Sequence, residues 1–179
     1  MKKLILIALF VPCFSFAQRF EISEQAGYST TTGFTFFGDA ARRMYGITNQ
    51  VSAGYCFLRH FSVSAFYQFN NWDNHNNAYG ISPDFVTKHL YTGLDLQMTT
   101  FSTLTGPNAN FNTSWGYGLH IGSKQKIFKG LSCVEQLGFD VDNETLNARY
   151  NPFGVSREYL SVNETSNIWY LRAGLSYRI

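Results

Sequence analysis

Three groups of residues in this 179-residue chain have side chains suited to chemistry: four histidines with nearby serines, an acidic run, and three cysteines. Acyl transfer through a serine needs the hydroxyl, a base and an orienting acid within hydrogen-bond reach. His120 is followed by Ile121 and Gly122 before Ser123, and His89 stands apart from any matching serine. A lone histidine on a polar face is ordinarily an interior hydrogen-bonding group rather than a base. Asp140, Asp142 and Glu144 open like a calcium loop. Thr145 then occupies the glycine position and Asn151 the position of the bidentate Glu, so the run reads as an acidic loop tip. Cys56 and Cys133 match no zinc spacing and are too few to staple a scaffold; both are expected as packed, unpaired thiols. The triplets at Asn112, Asn143 and Asn163 have the form of glycosylation acceptors and read as ordinary loop residues. No phosphate-cradling glycine loop or dinucleotide fingerprint occurs. Neither a cofactor nor a metal is expected.

The elements that would position such residues are visible in composition and periodicity. The chain is 45% hydrophobic, 17% aromatic and 15% charged, with 15 Gly and 4 Pro. So few charges argue against a long disordered chain, and no run of Lys and Arg is present to cover the phosphates of a nucleic acid. Aromatic residues with Thr and Gly favour tightly turned sheet. At the N-terminus Lys2 and Lys3 precede an apolar stretch from Leu4 to Phe16, and Ser15-Phe16-Ala17 supplies small residues before a cut. Residues 1–17 therefore read as a signal peptide and 18–179 as one domain. The stretch is too short to anchor as a helix. Cys13 lacks the small residues that precede a lipidated cysteine. Removing Lys2 and Lys3 leaves equal numbers of acidic and basic side chains, so nothing electrostatic calls for a polyanionic partner.

Strict alternation marks the strands. Trp169, Leu171, Ala173, Leu175, Tyr177 and Ile179 share one face, opposite Tyr170, Arg172, Gly174, Ser176 and Arg178. Asn49, Val51, Ala53, Tyr55 and Phe57 oppose Gln50, Ser52, Gly54 and Cys56, and a minimal turn at Leu58 to His60 leads into the alternating run Phe61 to Asn70. This is a hairpin. A second runs from Trp115, Tyr117, Leu119 and Ile121, through a turn between Ser123 and Phe128, into Leu131, Cys133, Leu137 and Phe139. Its inner face holds Gly116, Gly118, His120 and Gly122, then Val134, Gln136, Gly138 and Asp140. Phe20 to Ser29 and His89 to Met98 alternate likewise. Three polar residues spoil the apolar face: Glu24, Asn49 and Glu135. A bulge would return Glu135 to the interior.

The segments Thr31 to Gly46, Asn71 to Val86 and Asn143 to Asn167 read as long, Asn-, Asp- and Gly-rich connections, in contrast to the minimal turn at Leu58 to His60. Apolar and polar faces alternating in segments of about 10 residues, with short turns at one end and long loops at the other, characterise a transmembrane β-barrel. Eight antiparallel strands are expected, with residues 86–113 holding one clear strand and a second near Thr99 to Leu104.

The last eight residues, Arg172-Ala173-Gly174-Leu175-Ser176-Tyr177-Arg178-Ile179, resemble the terminal signal of bacterial outer-membrane β-barrels, with Ile179 where an aromatic residue is usual. The hairpins Gln50 to Asn70 and Ser114 to Asp142 are similar to those of the small OmpA-like and OmpX-like barrels. The resemblance spans most of the chain and lies in patterning rather than invariant residues. It implies an outer-membrane location, short periplasmic turns, long extracellular loops, contact with membrane lipid and lipopolysaccharide, and delivery of the last strand to the barrel-assembly machinery. An eight-stranded interior is just wide enough for side chains to fill. Glu21, Asp95, Asp140, Arg172 and Arg178 fall on the inner face and are expected to pair with one another and with Gln25, Gln50, Gln68 and Tyr170. The expected role is a non-enzymatic membrane scaffold, with a narrow ion path as its sharper form. Two other classes compete. One is a lipid A-modifying acyl hydrolase, whose His-x-Ser pattern with a following Asn is absent. The other is a soluble lipocalin-like carrier, which would carry its apolar side chains inside.

Overall fold

Successive side chains of a strand point to opposite faces, so the C-terminal run must separate its apolar set from its polar set. Trp169, Leu171 and Leu175 are 52%, 61% and 52% exposed, whereas Arg172 and Ser176 are each 1% exposed. The computed structural model describes residues 19–33, 43–71, 75–102, 111–150 and 158–179. The segment read as a signal peptide, with Cys13, lies outside the described residues.

Eight strands follow in chain order: β1 (Arg19–Gly33), β2 (Arg43–Leu58), β3 (Phe61–Asn71), β4 (His75–Val86), β5 (Leu90–Ser102), β6 (Phe111–Phe128), β7 (Leu131–Tyr150) and β8 (Glu158–Arg178). Each pairs antiparallel with its neighbour, and β1 pairs with β8 to close the barrel. One row of partners runs Ser23, Ser52, Phe66, Gly80, Gln97, Gly116, Asp142, Ser166 and back to β1 at Gly33, ten residues beyond its start. That stagger forces a steep strand tilt and, with eight strands, an interior that side chains fill.

Every strand puts most of its apolar residues outward, while Phe66, Ala78, Val134 and Ile168 are buried inside. Phe20, Phe57, Phe61, Phe85, Phe128 and Tyr177 are exposed near the end that carries the turns at 59–60, 87–89 and 129–130. Phe61 and Phe85 meet edge-on at 5.4 Å. Tyr28, Tyr45, Trp115, Tyr117 and Trp169 are exposed toward the opposite end, with Tyr28 stacked on Tyr45 at 6.2 Å. Leu94, Leu96, Leu119, Ile121 and Leu137 are exposed between the two aromatic rows. An apolar band between aromatic girdles is the surface that lipid requires. It excludes the soluble carrier, whose apolar residues would be inside.

The expected count of eight holds, but the location of one strand does not. Asn71 to Val86 is largely strand β4, not a long connection, and residues 86–113 contain β5 and the start of β6. Thr99 begins no separate strand; Thr99 to Ser102 is the end of β5. Pro83 obscured β4, because a residue without an N–H reads as a break. Ser82 and Pro83 have no partner in the β4–β5 register, yet that register is unchanged on either side. The other long connections are also shorter than expected, since β1 runs to Gly33, β2 starts at Arg43, β7 reaches Tyr150 and β8 starts at Glu158. The expected turn from Ser123 to Phe128 belongs to β6, and the chain reverses at Lys129 and Gly130, where Gly130 takes a φ of 83°. His89 lies in a turn rather than on an inner face. No bulge occurs at Glu135, whose register is continuous on both sides. The β6–β7 shift lies between Lys126 and Phe128.

The barrel lumen as candidate functional site

All five residues assigned to the interior from sequence lie on the lumen face, but they do not all pair with one another. Near the turn end Arg178 donates twice to Glu21 Oε2, from Nε at 3.0 Å and Nη2 at 2.8 Å, and Lys124 Nζ donates to Glu21 Oε1. Lys124 escaped the sequence reading because it was placed in a turn. Continuing the alternation of β6 past Gly122 would have found it.

Midway along the lumen His120 lies between two carboxylates, with Nε2 at 2.9 Å from Asp84 Oδ1 and Nδ1 at 3.1 Å from Asp95 Oδ2. With both acids ionised, both ring nitrogens must donate. Asp95 also accepts from Ser82 Oγ and from Tyr170 OH, the latter at 2.9 Å. Asp84 and Ser82 were hidden in the segment read as a loop. Their signal was the run Tyr79, Ile81 and Phe85 outward against Gly80, Ser82 and Asp84 inward.

Among the described residues Arg172 pairs directly with no carboxylate, contrary to expectation. Its Nη1 donates to the carbonyl oxygens of Gln50 and of Gln68, the latter at 2.6 Å. Its guanidinium carbon lies 3.7 Å from the centroid of the Tyr170 ring. Gln68 Nε2 in turn donates to Asn70 Oδ1 at 2.9 Å. Gln25, expected to join this network, leaves its Oε1 without a partner. The guanidinium is thus solvated by oriented amide dipoles and an aromatic face, with no carboxylate in direct contact among the described residues.

Nearer the other end, Gln97 Nε2 donates to Asp142 Oδ1 at 2.9 Å and more weakly to Asp140 Oδ2 at 3.4 Å, while Thr99 Oγ1 donates to Asp142 Oδ2 at 2.9 Å. Asp140 and Asp142 are therefore strand residues buried in the lumen, which corrects their reading as an acidic loop tip. Asn143 and, by backbone, Asn112 and Asn163 also lie in strands rather than loops. Gly116 and Gly118 make room for the two aspartates: a Cβ at either would collide with the facing carboxylate. His120 turns a different ring nitrogen to each aspartate, and among the described residues no three such side chains are arranged to hold one metal ion.

These layers divide the lumen. Arg172, Tyr170, Gln68, Asn70, Asp140 and Asp142 are almost wholly buried and plug its middle and far part. Below them an open cavity reaches from the turn end to His120 and Asp84 and is lined by Ser52, Cys56, Ser62, Ser64 and Tyr91 among others. Both cysteines are free; Cys56 lines this cavity, whereas Cys133 follows the outward set of β7.

Neither a family model nor a curated protein sequence matches the chain. Solved structures do. Neisserial surface protein A superposes with a TM-score of 0.60 at 17% identity, over 89% of this chain and 97% of that one. The outer membrane protein OprG from Pseudomonas aeruginosa gives 0.51 at 12% identity, over 91% and 96%. Ail, the attachment invasion locus protein of Yersinia pestis, gives 0.50 at 13% identity, over 88% and 98%. The fold is that of the small outer-membrane β-barrels. Within that class the chain is an eight-stranded, all-antiparallel closed barrel with a side-chain-filled lumen.

Proposed function

We propose that this protein is a non-enzymatic β-barrel of the bacterial outer membrane, exported by its N-terminal segment, which acts as a scaffold presenting the connections at its far end to the exterior. The observation that carries this reading is the inversion of the barrel: apolar side chains ring the outside between aromatic girdles while buried polar residues fill the inside. In this orientation the three short turns face the periplasm and the cavity opens there. The four other connections, within 34–42, 72–74, 103–110 and 151–157, lie outside the described residues. Membrane lipid and lipopolysaccharide are the expected surroundings, and β8 is the strand offered to the assembly machinery.

The lumen supports neither of the other activities. A conducting path needs continuous water, and the Arg172, Tyr170 and Gln68 layer interrupts it. An acyl hydrolase needs a serine hydroxyl on its histidine, whereas both nitrogens of His120 are held by aspartates and Ser82 Oγ goes to Asp95. Ser123 faces outward, where it donates to Glu135. Cell fractionation with heat-modifiable gel migration tests the reading: the boiled chain in the outer-membrane fraction should migrate differently from the unboiled one. A chain found soluble in the periplasm, or with migration indifferent to heat, would refute it.

A further inference from the structure

The three residues that break the apolar alternation come together on one patch of the barrel's outside. Asn49, Ala26, Ala173, Glu135 and Ser123 form one continuous row of partners across β2, β1, β8, β7 and β6, all on outward positions. Glu24 lies in the adjoining row, opposite Leu175. Among the residues whose side chains are described, Glu24 and Glu135 are the only charged ones on outward strand positions. Glu24 has no partner among these residues, and Glu135 accepts one hydrogen bond, from Ser123 Oγ at 3.2 Å.

Both carboxylates sit at the middle of the apolar belt. Glu24 is halfway between Phe20 and Tyr28, Glu135 is halfway between Leu131 and Phe139, and its partner Ala173 is halfway between Trp169 and Tyr177. A lipid-facing charge is costliest at that depth. Acyl chains offer it no donor, and headgroups lie beyond the girdles. A second copy is a poor cover. Copies inserted the same way are related by an axis along the membrane normal, which keeps every residue at its own depth and sets carboxylate against carboxylate. The paired small residues Ala26 and Ala173 leave a shallow floor between the two acids.

We propose that this face docks a membrane-embedded segment of another protein that presents a lysine or arginine side chain at mid-depth. The inference rests on the barrel lying in a bilayer. The test uses the chain refolded into phosphatidylcholine vesicles, with insertion checked first by heat-modifiable migration. The probe is a synthetic leucine–alanine transmembrane helix with one central arginine, compared by fluorescence energy transfer with the same helix carrying leucine there. The arginine helix should associate about tenfold more tightly, and E24Q/E135Q should abolish the preference. Equal association of the two helices, or a preference undiminished in E24Q/E135Q, overturns the proposal while leaving the membrane reading intact. A glutamate-dependent dimer of the chain alone also overturns it. Failure of the unaltered chain to insert sinks both readings. Should E24Q/E135Q not insert, Ala173→Trp, which fills the floor without changing charge, must remove the preference; a preference that survives it overturns the proposal.

Discussion

The guanidinium of Arg172 lies 3.7 Å from the ring centroid of Tyr170, two residues back on the same face of β8. The pair ties two halves of the lumen together, since Arg172 reaches β2 and β3 through Gln50 and Gln68 while Tyr170 reaches β5 through Asp95. A cation of this size in a barrel of eight strands serves as both plug and crosslink.

Arg172→Ala should destabilise the barrel and loosen the plug together. Loss of the guanidinium leaves the amide oxygens of Gln50 and Gln68 buried without this donor, at about 1–3 kcal/mol for each group left unsatisfied, read as a fall in the urea midpoint in vesicles. In planar bilayers the unaltered chain should show no large, stable conductance, and the variant should show ion currents. A silent, fully stable variant would show that Arg172 fills space without sealing it.

Glycines in the lumen should differ sharply in tolerance. A Cβ at Gly138 would collide with the ring and hydroxyl of Tyr170, whereas one at Gly54 meets Ser64 Cβ at 3.2 Å. Gly138→Ala should displace Tyr170 from Asp95 and cost about 1–3 kcal/mol as overpacking. Gly54→Ala should stay within about 1 kcal/mol of the parent chain. Equal unfolding midpoints would contradict the crowding at Gly138.

Glu21→Gln should weaken the turn end of the barrel without closing its cavity. It leaves Lys124 and Arg178 beside each other with no anion between them. These groups retain some solvent contact, so the loss should be about 1–2 kcal/mol, between exposed and buried ion pairs. Screening by salt should shrink the difference between variant and parent. A difference that grows with salt would exclude like-charge repulsion as its cause.

The two thiols should report opposite solvents. Cys56 lines the water-accessible cavity and receives a contact from Arg178 Nη2 at 3.6 Å, while Cys133 is on the lipid side of β7. A charged, water-soluble thiol reagent should label Cys56 in vesicles and spare Cys133. Intact mass without reductant should show both thiols free. A loss of two hydrogens, or preferential labelling of Cys133, would reverse the facing of one strand.

Much of this was readable residue by residue. Facing in β8, β2 and β3 follows directly from alternation, because a strand has a period of two and one misplaced residue reverses the whole set. Glu21, Asp95, Asp140, Arg172 and Arg178 were assigned inward on that ground, and each lies on the lumen side of its strand. Alternation was unreadable in β4, where Pro83 and the asparagines before it imitate a loop, so Asp84 and Ser82 were missed. Lys124 was lost for a different reason: the outward face of β6 turns polar at Ser123 and Gln125 before Ile127 resumes it, which reads as a turn.

The amino-acid pattern alone determined which side chains share a face, because that depends only on neighbours along one strand. Which inward residues meet depended on the ten-residue stagger, which only closure of β1 on β8 establishes. Closure gave Asp95 to His120 and Tyr170, and left Arg172 to the carbonyls of Gln50 and Gln68. It also brought Glu24 and Glu135, 111 positions apart in the chain, to the same depth on either side of β8. Distances across strands are set by register, and a linear sequence carries register only implicitly.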